Sequence, residues 1–127
     1  MTQLRELPDF LRVCVRNSAK CLECGDEIES VHRHDFVRCK CGGIFIDGGR
    51  DRWGTRAGAK DFAMFQNTSI YRAMTTKEVT DELLHWEMRV EDDKKNGWDS
   101  KWNIEERDKY ELALEEYADL LDGKVIS

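Results

Sequence analysis

Two kinds of hydrophobic spacing divide the chain. Leu11, Val13 and Val15 alternate with Arg12, Cys14 and Arg16, the pattern of a half-buried strand. Residues 28–39 form a second extended stretch with Val31, Phe36 and Val37. Ile44-Phe45-Ile46 is a short apolar strand closed by Asp47-Gly48-Gly49. In the last fifty residues the period becomes helical. Val79, Leu83, Trp86 and Val90 recur on one face, with Leu84 and Met88 widening the stripe. Tyr110, Leu114, Tyr117 and Leu121 form a second stripe, flanked by Ala113 and Leu120.

Helix boundaries are written beside these stripes. Thr75 stands three residues before Glu78, the capping-box spacing. Asn96-Gly97 is a stop signal, Ser100 or Asn103 can cap the next helix, and Gly123 ends it. Two stripes joined by so short a turn predict an antiparallel hairpin. Its outer faces carry Glu87, Glu91, Asp92, Asp93, Glu105, Glu106, Glu115 and Glu116. Residues 50–75 show no clean period. Phe62, Met64, Phe65, Ile70 and Tyr71 mark that stretch as a packed connection.

The cysteines give the extended half its chemistry. Four of the five form two tight pairs, Cys21/Cys24 in CLECG and Cys39/Cys41 in CKCGG. Pairs of this kind, separated by a short connector, place two corners of a tetrahedron at each of two turns, as in a structural zinc site. A unit of about 40 residues rarely folds without a metal or disulfides. The N-terminal stretch MTQLRELPDFLR is broken by charges and does not read as a signal peptide, and no run approaches a membrane span. A reducing cytoplasm is therefore expected, where paired cysteines favour metal over disulfide. Zn2+ on Cys21, Cys24, Cys39 and Cys41 is the expected cofactor; a rubredoxin-type iron site is the other option. Four protein ligands would make the metal structural. Cys14, in FLRVCV, reads as a small buried hydrophobe.

The expected architecture is α+β: a zinc ribbon of short antiparallel strands over 10–50, a packed linker over 51–74, and a helical hairpin over 75–123.

Charge narrows the choice of partners. The net charge is −6. Residues 1–60 carry 11 Lys+Arg against 9 Asp+Glu, whereas residues 61–127 carry 9 against 17. Four thiolates around a dication would cancel the small excess of the first part. Neither half is then a broad basic surface, which counts against strong nonspecific nucleic-acid binding but leaves room for local basic patches.

Three further groups of residues are candidates for function. His32, His34 and Asp35 invite a catalytic reading, but with three histidines in the chain a convergent site is not visible and no catalytic residue is assigned. Arg50, Arg52, Trp53 and Arg56 mix guanidinium groups with an aromatic ring, suited to phosphate contact with base stacking or to a protein hot spot. The plain alternative is a packed turn with solvated arginines. Trp98 and Trp102 flank the turn between the helices, either capping the hairpin core or anchoring a partner.

The run CLECGDEIESVHRHDFVRCKCGGIFIDGGRDRWGTRAG resembles a family of small, uncharacterised zinc-ribbon proteins carried by bacteriophages and prophages. The resemblance rests on the paired cysteines, on Arg33, His34, Asp35, Phe36, Cys39, Cys41 and Gly42, and on the Asp47-Gly48-Gly49 turn. It covers about a third of the chain and departs after the turn, at Trp53-Gly54-Thr55-Arg56. It implies a phage origin, a zinc ribbon and residence in a bacterial host's cytoplasm. The expected function is a non-enzymatic zinc-binding protein that binds a host protein, with inhibition of a host process or defence system as one consequence. The alternative is a nucleic-acid-binding ribbon module using the 50–56 segment. The oligomeric state stays open.

Overall fold

A computed structural model describes residues 3–50 and 55–126. The chain is α+β and divides into two compact units: Val13–Arg72 with Val125–Ser127, and Met1–Arg12 with Ala73–Lys124.

The first unit is built from two antiparallel sheets. Strand β1 (Arg12–Cys21) pairs with β2 (Glu27–Ser30), and β3 (Val37–Arg38) pairs with β4 (Ile44–Asp47). The stretch expected as a linker, 51–74, supplies three more strands from its described residues. These are β5 (Arg56–Ala59) on β4, then β6 (Phe65–Asn67) and β7 (Ile70–Ala73), both on β1. Strands of three or four residues are too short to show a period, so their partners reveal them.

The core of this unit is small: Ala19, Cys21, Ile28, Cys39, Ile44 and Ile46, with Val37, Ala59, Met64 and Phe65 packed against it. In β1 the inward parity runs through Asn17, Ala19 and Cys21. Val15 shares that parity but lies past the last β2 pair, Asn17↔Ser30, and is exposed. Leu11 is buried, yet in a 3-10 turn of the other unit rather than in the strand. Polar residues close the far end of this core. Asn17 Nδ2 donates to the carbonyls of Asp47 and Gly49 at 3.2 and 2.8 Å, and Ser18 Oγ lies 2.7 Å from Thr68 Oγ1. Buried polar groups are tolerated where they are bonded in this way.

The second unit is the helical hairpin with the N-terminal residues packed on it. Helix α1 (Thr76–Asn96) starts on the capping box: Thr75 Oγ1 accepts from Glu78 N–H at 3.1 Å, and Glu78 Oε1 accepts from Thr75 N–H at 3.0 Å. It ends at Gly97, whose φ of 68° is left-handed. Helix α2 (Lys101–Glu116) packs back antiparallel, with the chain after it bridging Thr75 to Asp122. Val79, Val90, Tyr110, Ala113 and Leu121 are buried between the elements. Leu7 and Leu11 are also buried, and Phe10 meets Tyr110 edge-on at 5.4 Å.

Four expectations for the hairpin need correction. Gly123 does not end the second helix: α2 stops at Glu116, and Ala118–Leu120 form a separate 3-10 turn, so Tyr117 and Leu121 lie beyond the helix. Leu84 and Met88 do not widen the buried stripe. They lie on the side of α1 away from Val79 and Val90 and are exposed. Asp93 belongs to the interior rather than the outer acidic face. Asn103 caps nothing: it is buried within α2 and donates to Asp93 Oδ2 at 2.6 Å. Ser100 holds the N-cap position without a side-chain bond, while Asp99 Oδ1 accepts from Lys101 N–H at 3.0 Å. Among the described residues no helix is long and apolar enough to cross a membrane.

Candidate metal centre

Cys21, Cys24, Cys39 and Cys41 converge. Each offers a sulfur, and all four sulfurs lie within 4.8 Å of one another. The Sγ···Sγ distances are 3.7 Å for Cys21–Cys41 and 3.5 Å for Cys39–Cys41. A tetrahedral ion with metal–sulfur bonds of about 2.3 Å requires sulfurs about 3.8 Å apart. The cluster fits such an ion. Among the described residues it is the one His/Cys/Asp/Glu group able to hold a metal.

Two turns of like construction build the site. The first leaves β1 at Cys21 and the second leaves β3 at Cys39. In each, the N–H of the first cysteine donates to the carbonyl five residues on: Cys21 to Asp26 at 2.8 Å, Cys39 to Ile44 at 3.2 Å. The glycine after the second cysteine closes the turn. Gly25 N–H donates to Cys21 O and Gly42 N–H to Cys39 O. Their φ values of 74° and 73° lie in the region that favours glycine. This arrangement buries one sulfur of each pair, on Cys21 and Cys39, and leaves Cys24 and Cys41 exposed.

Contacts from Asp26, Met64 and Lys60 tie the two turns to each other and to the following segment, and none is evident in the spacing of the sequence. Asp26 Oδ2 of the first turn accepts from Lys40 N–H of the second at 3.1 Å. Met64 O accepts from Leu22 N–H at 2.8 Å, and the Met64 thioether lies where a Cβ on Gly43 would stand. Lys60 N–H donates to Gly43 O at 2.8 Å. The segment without a period thus clasps both halves of the site.

Electrostatics show what the cluster needs. Burial raises the Cys39 thiol, but the Ile44 N–H, aimed at its sulfur from 3.4 Å, and the neighbouring thiols bring it down to about 6. The Gly43 N–H lowers Cys41, but the adjoining Cys39 sulfur and desolvation push it up to about 12. The backbone N–H groups of Asp26 and Cys41 lower Cys24. Four sulfurs this close cannot all be thiolates unless a cation compensates them.

The other sequence candidates lie elsewhere. His32 and His34 are exposed and outside the cysteine cluster, and Asp35 Oδ2 is engaged by Val31 N–H at 3.0 Å. Arg50 pairs with Glu29 at 3.4 Å, and Arg56 pairs with Asp47 at 2.8 Å. Arg52 and Trp53 lie outside the described residues. Trp98 and Trp102, in the helical unit, are exposed. Cys14 is half-buried on β1, apart from the cluster, and burial raises its thiol.

Residues 13–53 match a family model described as a domain of unknown function, DUF7695. The match takes in β1 to β4 and all four clustered cysteines. No curated protein matches the chain. No solved structure matches it either.

Proposed function

We propose that this chain is a non-enzymatic protein in which a structural Zn2+ ion holds the sheet unit together, while the helical hairpin binds a protein partner. Four thiolates filling a tetrahedral shell leave no position for substrate or water, which supports a structural role for the metal. Zinc suits a sulfur-only tetrahedral shell and needs no redox partner. A compartment that keeps thiols reduced, the cytoplasm of a bacterial host, goes with that choice. The phage-like cysteine segment suggests a host protein as the partner, and inhibition as the use.

The observation that carries the partner reading is the outward side of α1. Leu84 is 51% exposed and Met88 68% exposed, one helical turn apart. They line a groove of about 330 Å³ with Glu87, Glu91, Asp92 and Lys95. An exposed leucine and methionine side by side form an adaptable apolar strip. The acidic rim adds complementarity to a partner with a basic border around an apolar ridge, and it would steer that partner in. Trp98 and Trp102 add two exposed indoles to the same unit.

The test compares the zinc-loaded full chain with Leu84→Asp/Met88→Asp in affinity capture from a bacterial lysate. Support requires a stoichiometric basic protein that the wild type holds, that salt weakens, and that the variant loses while keeping its helical circular dichroism. Equal retention by the variant, or capture of no protein, would overturn the partner reading. Metal analysis showing fewer than one zinc per chain after reducing purification would overturn the metal assignment.

A further inference from the structure

The two faces of the β3–β4–β5 sheet differ sharply. Ile44 and Ile46 point into the core and are almost wholly buried. The register places Arg38, Phe45 and Gly58 in one row across the opposite face, with Asp47 beside Arg56 in a second row. On that outer face Phe36 stacks on Phe45, with ring centroids 4.9 Å apart and planes inclined by 24°.

The aromatic pair is held from below. A Cβ on Gly58 would lie 2.3 Å from the Phe45 ring, so that ring rests directly on bare backbone. Phe36 above it is 50% exposed. Covering an exposed aromatic ring is favourable, so a phenylalanine left half in water on a pre-stacked platform is a surface ready for a flat ligand. Beside it is a cleft of about 460 Å³ lined by Phe36, Phe45, Asp47, Arg56 and Ala57.

Cations border the platform. The Arg38 guanidinium lies over the Phe36 ring, 5.5 Å from its centroid, where a stacking base would displace it toward the flanking phosphate, and it forms no ion pair among the described residues. The Arg56 side chain is largely exposed, and its contact with Asp47 uses one terminal nitrogen of a five-donor group. A stacking ring between two guanidinium groups matches the alternation of base and phosphate along a nucleic-acid strand. A duplex hides its base faces, so the ring selects unpaired bases.

We propose that this sheet face binds single-stranded nucleic acid, with one base stacked on Phe36 in the cleft and the flanking phosphates on Arg38 and Arg56. The site is distinct from the hairpin groove; it shares Arg56 with the 50–56 segment but takes its stacking ring, Phe36, and its second cation, Arg38, from the β3–β4 side of the sheet.

The test uses the zinc-loaded full chain and a fluorescein-labelled 12-nucleotide single strand, DNA and RNA in turn, read by anisotropy at 50 mM salt. The expected result is binding that Phe36→Ala weakens at least tenfold and that Phe36→Trp retains. Arg38→Ala should weaken it severalfold and reduce the salt slope by about 0.7, the single-strand value per phosphate contact. Neither side chain is a metal ligand, so zinc content should stay at the wild-type value in both variants. Leu84→Asp/Met88→Asp should leave oligonucleotide binding unchanged, which separates this proposal from the hairpin reading. No binding to either strand type, binding unaffected by Phe36→Ala, or equal affinity for duplex would each overturn it. So would capture of a protein that Phe36→Ala releases when no oligonucleotide binds.

Discussion

Removing the amide of Asn103 should expose how much the hairpin depends on one buried polar contact. Asn103 Nδ2 donates to Asp93 Oδ2 at 2.6 Å, and both residues are buried. Asp93 sits in the last turn of α1, where its carbonyl accepts from Trp98 N–H at 2.9 Å. The side-chain bond therefore ties α2 to the stop of α1. Asn103→Ala leaves a buried carboxylate oxygen without its donor, and an orphaned group of that kind costs about 1–3 kcal/mol, more when charged. Some water can reach Asp93, so about 2 kcal/mol is the expected loss. For a unit of roughly 60 residues that corresponds to about 8–16 °C in melting temperature. The assay is thermal and urea unfolding of the zinc-loaded chain, followed at the helical circular dichroism band. A double-mutant cycle with Asp93→Ala isolates the pair: a charge-assisted bond predicts a coupling of about 1.5–3 kcal/mol, with the double variant losing less than the sum of the singles. A strictly additive double variant, or Asn103→Ala within about 0.5 kcal/mol of wild type, would refute the reasoning.

Other expectations follow from the metal cluster and the helix cap. Chelation should unfold the sheet unit and leave most of the helical signal; simultaneous loss of both would show the two units to be one cooperative body. Metal uptake at pH 7 must expel at least the Cys41 proton, held with a pKa of about 12, while Cys39 at about 6 is already mostly thiolate. Apparent affinity should therefore rise about tenfold or more per pH unit from 6 to 8, and proton release should appear in calorimetry run in two buffers. A pH-independent affinity would contradict this. Cys14→Ser should leave one metal per chain, whereas Cys39→Ser should lose tight binding. Thr75→Ala should cost about 1 kcal/mol in unfolding experiments, since it removes the acceptor for Glu78 N–H; no loss would argue against the capping box.

Local pattern determined much of this protein. The helix that begins at Thr75 and stops at Gly97 is legible because capping and left-handed termination involve residues within a few positions of one another. The four-cysteine cluster is legible because each pair is a local turn, and only four sulfurs had to meet. Tertiary structure decided the rest. Three short pieces of residues 56–73 become strands because β1 and β4 offer free edges, a fact no three-residue segment can encode alone. Leu84 and Met88 fit the apolar spacing but fall on the side of α1 away from α2. Asp93 and Asn103 look like surface residues until packing places one opposite the other. Phe36, Arg38 and Phe45 could have been grouped by noticing that Phe45, between two inward isoleucines, must face outward. Bringing Phe36 onto that ring required the register of β3 on β4. Composition and spacing act within a few residues, whereas which face is covered depends on partners distant in the chain.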